Sequence, residues 1–136
     1  MRNNFLEFSR LFVMTKIFYF LLSSLFLLEC VSRPAPQVIY SAVIENSLSV
    51  PAYCKITWLL PSENKINKKL LKIRKNSEFL VSERIINMGT WDASAIIDSI
   101  TCGGSKLVAP FPGVDSPKKK WRFRVEPTGL VSVGSS

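Results

Sequence analysis

The residues of this chain that could perform catalysis are few, and their spacing does not bring them together. The sequence contains no histidine, which excludes the Ser-His-Asp and Cys-His arrangements, histidine metal sites and the commonest general base. Four carboxylates, at Glu83, Asp92, Asp98 and Asp115, could serve a hydrolase that works with two carboxyl groups, but nothing in their spacing supports such a pair. We therefore predict a non-enzymatic protein with no cofactor and no metal site.

The residues most suggestive of binding form a basic run near the C-terminus, from Lys118 to Arg124. If this run is a β-strand, its period of two projects Lys118, Lys120, Arg122 and Arg124 from one face at intervals of roughly 7 Å. Such a row matches the charge spacing of a sulfated glycan, a phosphate backbone or an anionic lipid surface. The candidate anion-binding residues are Lys118, Lys119, Lys120, Arg122 and Arg124.

A second basic cluster could extend this row if the fold brings the two together. Its members are Lys65, Lys68, Lys69, Lys72, Arg74 and Lys75. A plain structural alternative is that the run at 118–124 is the solvated outer face of an edge strand, where lysines discourage pairing between the edges of two molecules.

The N-terminal part of the chain predicts a secretory signal peptide. An apolar run of twelve residues, Ile17–Leu28, follows Lys16 and leads into the small-x-small sequence Cys30-Val31-Ser32. We predict cleavage after Ser32, with translation starting at Met1 or Met14, and a secreted, extracellular protein. Because a transmembrane helix needs roughly 20 apolar residues, an uncleaved anchor is the less favoured alternative.

Removal of the signal leaves residues 33–136, a length that suits one domain. This part holds 15 lysines and arginines against 8 aspartates and glutamates, a net charge of +7. The excess favours anionic partners through long-range attraction. Outside the cell, such a partner would be an anionic glycan or an acidic membrane surface, and we expect no nucleic-acid partner in vivo.

Cysteine usage predicts one disulfide. Cys30 leaves with the signal, so that Cys54 and Cys102 remain as an even pair in an oxidising compartment. A bridge between them closes a loop for which chain entropy predicts on the order of 4 kcal/mol of stabilisation. The alternative is two buried free thiols.

Hydrophobic periodicity predicts a single, mainly β domain over residues 33–136. The clearest strand is Val50 to Leu60, whose even-numbered residues, Cys54 and Trp58 among them, share one apolar face. Further strands are expected over 37–45, 70–74, 78–86 and 119–126, with the polar stretch through Lys69 as a loop. Glu126-Pro127-Thr128-Gly129 predicts a turn into a final strand at 130–133, and the whole indicates a small antiparallel β-sandwich.

Residues 91–101 fit two structures equally well. Ala93, Ile96, Ile97 and Ile100 have the i, i+3, i+4, i+7 spacing of a short amphipathic helix. The isoleucines beside a bridging cysteine also suit a buried strand.

These features together predict a secreted, non-enzymatic binding or interaction module with a basic face. Its expected ligand is a glycosaminoglycan-like polymer or an acidic phospholipid. The alternative is a secreted membrane-active or toxin-like protein, which would release the contents of liposomes instead of only adsorbing to them.

Overall fold

The computed structural model describes residues 13–22, 33–60 and 66–135. The chain divides into two compact units, Met1–Pro34 and Ala35–Ser136. Within the first unit, residues 13–22 are helical and include the start of the apolar run, whereas the predicted cleavage site lies outside the described residues. Among the described residues, no helix has the length and apolar character needed to cross a membrane.

The described residues of the second unit form ten β-strands. They are β1 Ala42–Asn46, β2 Ala52–Leu59, β3 Ile66–Ile73, β4 Ser77–Val81, β5 Ile85–Asn87, β6 Asp92–Ser94, β7 Ile96–Cys102, β8 Ser105–Val108, β9 Trp121–Glu126 and β10 Gly129–Ser135. The predicted mainly β fold is therefore confirmed.

The strands form two four-stranded sheets and one small hairpin. The first sheet has the order β10-β9-β1-β4, the second has the order β3-β2-β7-β8, and β5 pairs with β6. All pairings are antiparallel except that of β1 with β9, which run parallel from Ala42 opposite Trp121 to Asn46 opposite Val125. The arrangement is a small β-sandwich.

The core lies between the two sheets and is supplied by alternate residues of each strand. In β9, Trp121, Phe123 and Val125 are buried while the residues between them are partly exposed. In β2, Cys54, Ile56 and Trp58 are buried as their period of two predicts. Val50 was expected on the same face but is exposed, because β2 begins only at Ala52.

The ambiguous segment 91–101 is strand, interrupted at Ala95 and bulged at Asp98. Thr57 on β2 pairs with Ser99, but the next residue, Trp58, pairs with Ile97, so that Asp98 is an extra residue on β7. The bulge places Ile97 and Ile100 on the same buried face three residues apart. The bulge therefore explains the helix-like i, i+3 spacing of Ile97 and Ile100.

Strand β3 begins earlier than its polar sequence predicts. The stretch through Lys69 was expected to be a loop, but β3 pairs with β2 from Ile66 opposite Leu59 to Ile73 opposite Ala52. The residues Pro61 to Lys65 lie outside the described part. The long ladder with β2 satisfies the backbone of this lysine-rich segment, which explains why it is a strand despite its composition.

The predicted disulfide is present and joins neighbouring strands of one sheet. Cys54 on β2 lies opposite Cys102 on β7, with their Cα atoms 4.1 Å apart. Both cysteines are buried in the core. The bridge therefore reinforces the second sheet from its inner side.

A buried asparagine ties the end of β1 to the end of β3. The Asn46 side chain donates hydrogen bonds to the carbonyl oxygens of Val50 at 2.9 Å and of Ile73 and Arg74 at 3.2 Å, and it accepts one from the Leu48 amide. Asn46 is fully buried. Since β1 and β3 belong to different sheets, this side chain links the two layers.

Candidate functional site

The predicted basic row is divided between a strand and the loop before it. Arg122 and Arg124 lie on the outer face of β9, as predicted. Lys118 to Lys120 precede β9, and Lys120 has a left-handed backbone with a φ of 53°. Its amide donates a hydrogen bond to the Ser41 hydroxyl. The expectation that Lys118 and Lys120 continue the strand is therefore wrong.

The outer face of β9 carries paired charges. The Arg122 guanidinium lies 2.6 Å from a carboxylate oxygen of Glu78 on β4, in the same sheet. Arg124 lies 3.3 Å from Glu45, its neighbour on β1, and 3.8 Å from Glu126. The two arginines and three glutamates are the only charged residues in the four strands of this sheet, for a net charge of −1.

The lysines before β9 are also close to carboxylates. Lys119 forms an ion pair with Glu83 at 2.8 Å, and Lys118 with Asp115 at 3.4 Å. No ion pair involves Lys120 within the described part of the chain. Because β9 lies between β10 and β1, the edge-strand interpretation of this run is wrong as well.

The carboxylates paired with Lys119 and Lys118, those of Glu83 and Asp115, have lowered pKa values. The Lys119 ammonium, followed by the Ser94 hydroxyl, lowers the pKa of Glu83 by hydrogen bonding to its carboxylate. The pKa of Asp115 is lowered first by the Ser116 hydroxyl and then by Lys118. A lowered folded-state pKa stabilises the fold above the ordinary pKa, and that contribution is lost as the pH falls through the lowered value.

We expect Lys119→Gln to raise the pKa of Glu83 toward its ordinary value, because the largest cause of the lowering is removed. A pH titration of the Glu83 carboxyl carbon by NMR measures this pKa directly. Lys118→Gln is the matched control, which should raise the pKa of Asp115 and leave that of Glu83 unchanged. An unaltered midpoint for Glu83 in the Lys119 variant would contradict the ion pair.

The second sheet carries basic residues of a different kind. Its four strands contain five lysines and one aspartate, a net charge of +4. Four of these lysines occupy outer positions of the sheet, and we call them the lysine face: Lys55, Lys68, Lys72 and Lys106. Among the described residues, none of the four forms an ion pair with a carboxylate.

The pairing of the strands brings the lysine face together. Lys55 on β2 has Leu70 beside it on β3 and Thr101 beside it on β7, and Thr101 in turn pairs with Lys106 on β8. With strands about 4.8 Å apart, Lys55 and Lys106 are separated by roughly 10 Å across the sheet. Lys68 and Lys72 are four residues apart on β3, which corresponds to roughly 13 Å along the strand.

Exposed apolar side chains lie on the same face as these lysines. Leu70, between Lys68 and Lys72, is 80% exposed. Tyr53, which pairs with Lys72, is also exposed, and the Lys72 ammonium lies 5.8 Å from the centre of its ring. Val108 on β8 is exposed as well. The lysine face therefore combines unpaired cations with accessible apolar groups.

The second basic cluster of the sequence only partly belongs to this face. Lys68 and Lys72 point outward, whereas the Lys69 ammonium lies 5.8 Å from the centre of the Phe79 ring of β4. Arg74 and Lys75 follow β3 at its turn into β4, and Lys65 lies outside the described residues. Lys55 and Lys106 were missed, because each stands alone among uncharged neighbours in the sequence.

Other candidate sites in the described chain are weaker. No group of three or more histidine, cysteine, aspartate or glutamate side chains there could hold a metal ion. A shallow depression at one end of the sandwich is lined by the Gly103–Gly104 turn, the Pro127–Thr128 turn and the side of Tyr53, and its single charged lining residue is Glu126.

The comparisons with known proteins identify no relative: no family model, no curated protein and no solved structure matches this chain.

Proposed function

We propose that this protein is a secreted, non-enzymatic interaction module that binds anionic ligands through the lysine face. The ligand class is a glycosaminoglycan-like polymer or an acidic phospholipid. The observation that carries the proposal is the contrast between the two sheets. The arginines of β9 are paired with glutamates of their own sheet, whereas among the described residues none of the four lysines of the lysine face is paired with a carboxylate.

Protection of a sheet edge accounts for only part of this face. Lys68 and Lys72 are on β3 and Lys106 is on β8, and both are edge strands, where lysines discourage aggregation. Lys55 lies on β2, in the interior of the sheet, where no edge needs protection. Lys55 therefore lies between the lysines of the edge strand β3 and Lys106 of the edge strand β8, an arrangement that favours a ligand that spans the sheet.

Secretion rests on the order of basic, apolar and small residues at the N-terminus and is supported by the buried disulfide, since disulfides persist in oxidising compartments. We expect the secreted protein to begin at or within a few residues of Arg33. N-terminal sequencing of material from the medium measures this start. A secreted chain that still carries Ile17–Leu28 would contradict cleavage and favour an anchor.

The binding proposal is tested on heparin and on vesicles that contain phosphatidylserine. Affinity should fall steeply as salt is added, because binding by charge neutralisation releases counterions from the ligand. Replacing Lys55, Lys68, Lys72 and Lys106 together with glutamine should remove most of this affinity, since each lysine near an acidic surface contributes about 1 kcal/mol. Thermal unfolding of the variant should stay close to that of the parent, because exposed charges contribute little stability.

The matched control replaces Lys120 and the two paired arginines, Arg122 and Arg124, with glutamine. This triple variant removes a similar charge from the other sheet and from the loop before β9, and we expect it to bind almost as the parent does. A parent that binds neither heparin nor acidic vesicles at physiological salt would overturn the proposal. If the triple variant loses binding and the lysine-face variant does not, the binding site lies at residues 118–124 instead.

A further inference from the structure

The chemistry of the lysine face distinguishes between the two anionic ligands. A sulfated polymer presents anions and hydroxyl groups, and lysines alone suffice to hold it. Such a polymer has no acyl chain in which Leu70 could be buried, although this side chain lies between Lys68 and Lys72 and is 80% exposed. An isolated exposed leucine is ordinary, but here Tyr53 and Val108 are exposed on the same face. A ligand that satisfies both sets of groups must be anionic and apolar at once.

An acidic bilayer has that combination of properties. Its phosphates and carboxylates lie at the surface, and the apolar acyl chains begin just below them. Lysines can keep the ammonium at the level of the headgroups while their methylene stems extend along apolar surface. Tyrosine is suited to the same boundary, because its ring is apolar and its hydroxyl is polar.

The arrangement of these side chains across the sheet also fits a bilayer. Leu70 and Tyr53 lie on the neighbouring strands β3 and β2, and the row Leu70–Lys55–Thr101–Lys106 crosses all four strands of the sheet. Lys68 and Lys72 therefore flank Leu70 along β3, and Lys55 lies beside it on β2, so that cations border this leucine on the surface of the sheet. The other sheet exposes Leu80 between Phe79 and Val81, but its cations are paired with glutamates.

We propose that the lysine face docks the protein on a bilayer of acidic phospholipid, with Leu70 and Tyr53 entering the headgroup boundary between the lysines. This inference rests on the proposed function and specifies its ligand. Electrostatic attraction between the lysines and the acidic headgroups brings the face to the bilayer. Burial of Leu70 and Tyr53 adds a part of the binding free energy that salt does not screen.

The test compares Leu70→Gln with the parent on two supports, heparin and vesicles of phosphatidylcholine mixed with phosphatidylserine. The charge of the protein does not change, so elution from heparin should stay at the same salt concentration. Affinity for the vesicles should fall about tenfold, the loss expected when a partly buried leucine no longer leaves water. Leu80→Gln, an apolar position 50% exposed on the other sheet, is the control and should change neither value.

A second measurement reports insertion directly. After subtraction of the parent's signal from its three tryptophans, the fluorescence of Leu70→Trp should shift to the blue when acidic vesicles are added and stay unchanged with pure phosphatidylcholine, while Leu80→Trp should show no shift with either. We expect no release of a dye trapped inside the vesicles, because docking leaves the bilayer closed. Release of the dye would overturn docking in favour of the membrane-active alternative.

The failures of the two proposals are distinguishable. If the parent binds heparin but not the acidic vesicles, or if Leu70→Gln and the parent bind the vesicles equally, the bilayer inference is wrong and the anionic-ligand proposal stands. If the parent binds neither support, both are wrong.

Discussion

Replacement of Trp58 with alanine should lower the free energy of unfolding by about 3–5 kcal/mol, the cost of deleting a large aromatic side chain from a core. Trp58 is 1% exposed on β2, an interior strand, opposite Ile97 of β7. The Arg84 guanidinium carbon lies 3.9 Å from the centre of its ring, so the same substitution removes a cation–π contact. Urea unfolding monitored by circular dichroism gives the free energy.

The chain supplies a matched control for this experiment. Trp91 is 58% exposed, and Trp91→Ala should change the free energy of unfolding by less than about 0.5 kcal/mol. Trp58→Phe should cost less than Trp58→Ala, because phenylalanine fills most of the space and removes an indole N–H that has no hydrogen-bond partner among the described residues. A loss below about 1 kcal/mol for Trp58→Ala would contradict the assignment of the buried face of β2.

Removal of the disulfide should have an effect of similar size. Cys54 and Cys102 are 48 residues apart in the sequence, and Cys54→Ala combined with Cys102→Ala should lower the free energy of unfolding by on the order of 4 kcal/mol, because the unfolded chain gains loop freedom. Denaturant unfolding of the double variant beside the oxidised parent measures this loss. The double variant is preferred to reduction of the parent because both thiols are buried in the core.

Mass spectrometry provides the direct check on the bridge. The unfolded parent should gain the mass of about two hydrogens when it is reduced, and the double variant should gain none. Cys30→Ala is the control, since the predicted signal carries that residue away and the mature protein should be unaffected. A parent whose mass does not change on reduction would contradict the bridge.

Several strands could be predicted from local patterns, and the disulfide could be predicted from the number of cysteines. A period of two identifies the buried faces of β2 and β9, and the turn residues at Pro127 and Gly129 predict the hairpin that joins β9 to β10. The pairing of Cys54 with Cys102 followed from there being no third cysteine after the predicted signal. The bulge at Asp98 could not be predicted, because it depends on how β7 aligns with β2.

The sequence directed attention to basic residues, but not to the four lysines that the strand pairing brings together. A run of lysines and arginines is conspicuous in a sequence, yet Arg122 and Arg124 find glutamates on strands that come far earlier in the chain. Conversely, Lys55 and Lys106 are inconspicuous singly and become neighbours only through the pairing of β2, β7 and β8. Periodicity tells which way a residue points from its own strand. It does not tell which strands lie next to one another.

The parallel pairing of β1 with β9 has a consequence for the order in which the molecule assembles. The Ser41 hydroxyl, just before β1, accepts a hydrogen bond from the Lys120 amide, 79 residues later in the chain. The first sheet therefore cannot close until β9 has emerged. The strands of the second sheet, from β2 to β8, are all available earlier, together with both cysteines. Because contacts between distant segments form slowly and synthesis proceeds from the N-terminus, we expect the oxidised, lysine-bearing sheet to form first on the nascent chain and to serve as the template on which β1 and β9 later meet.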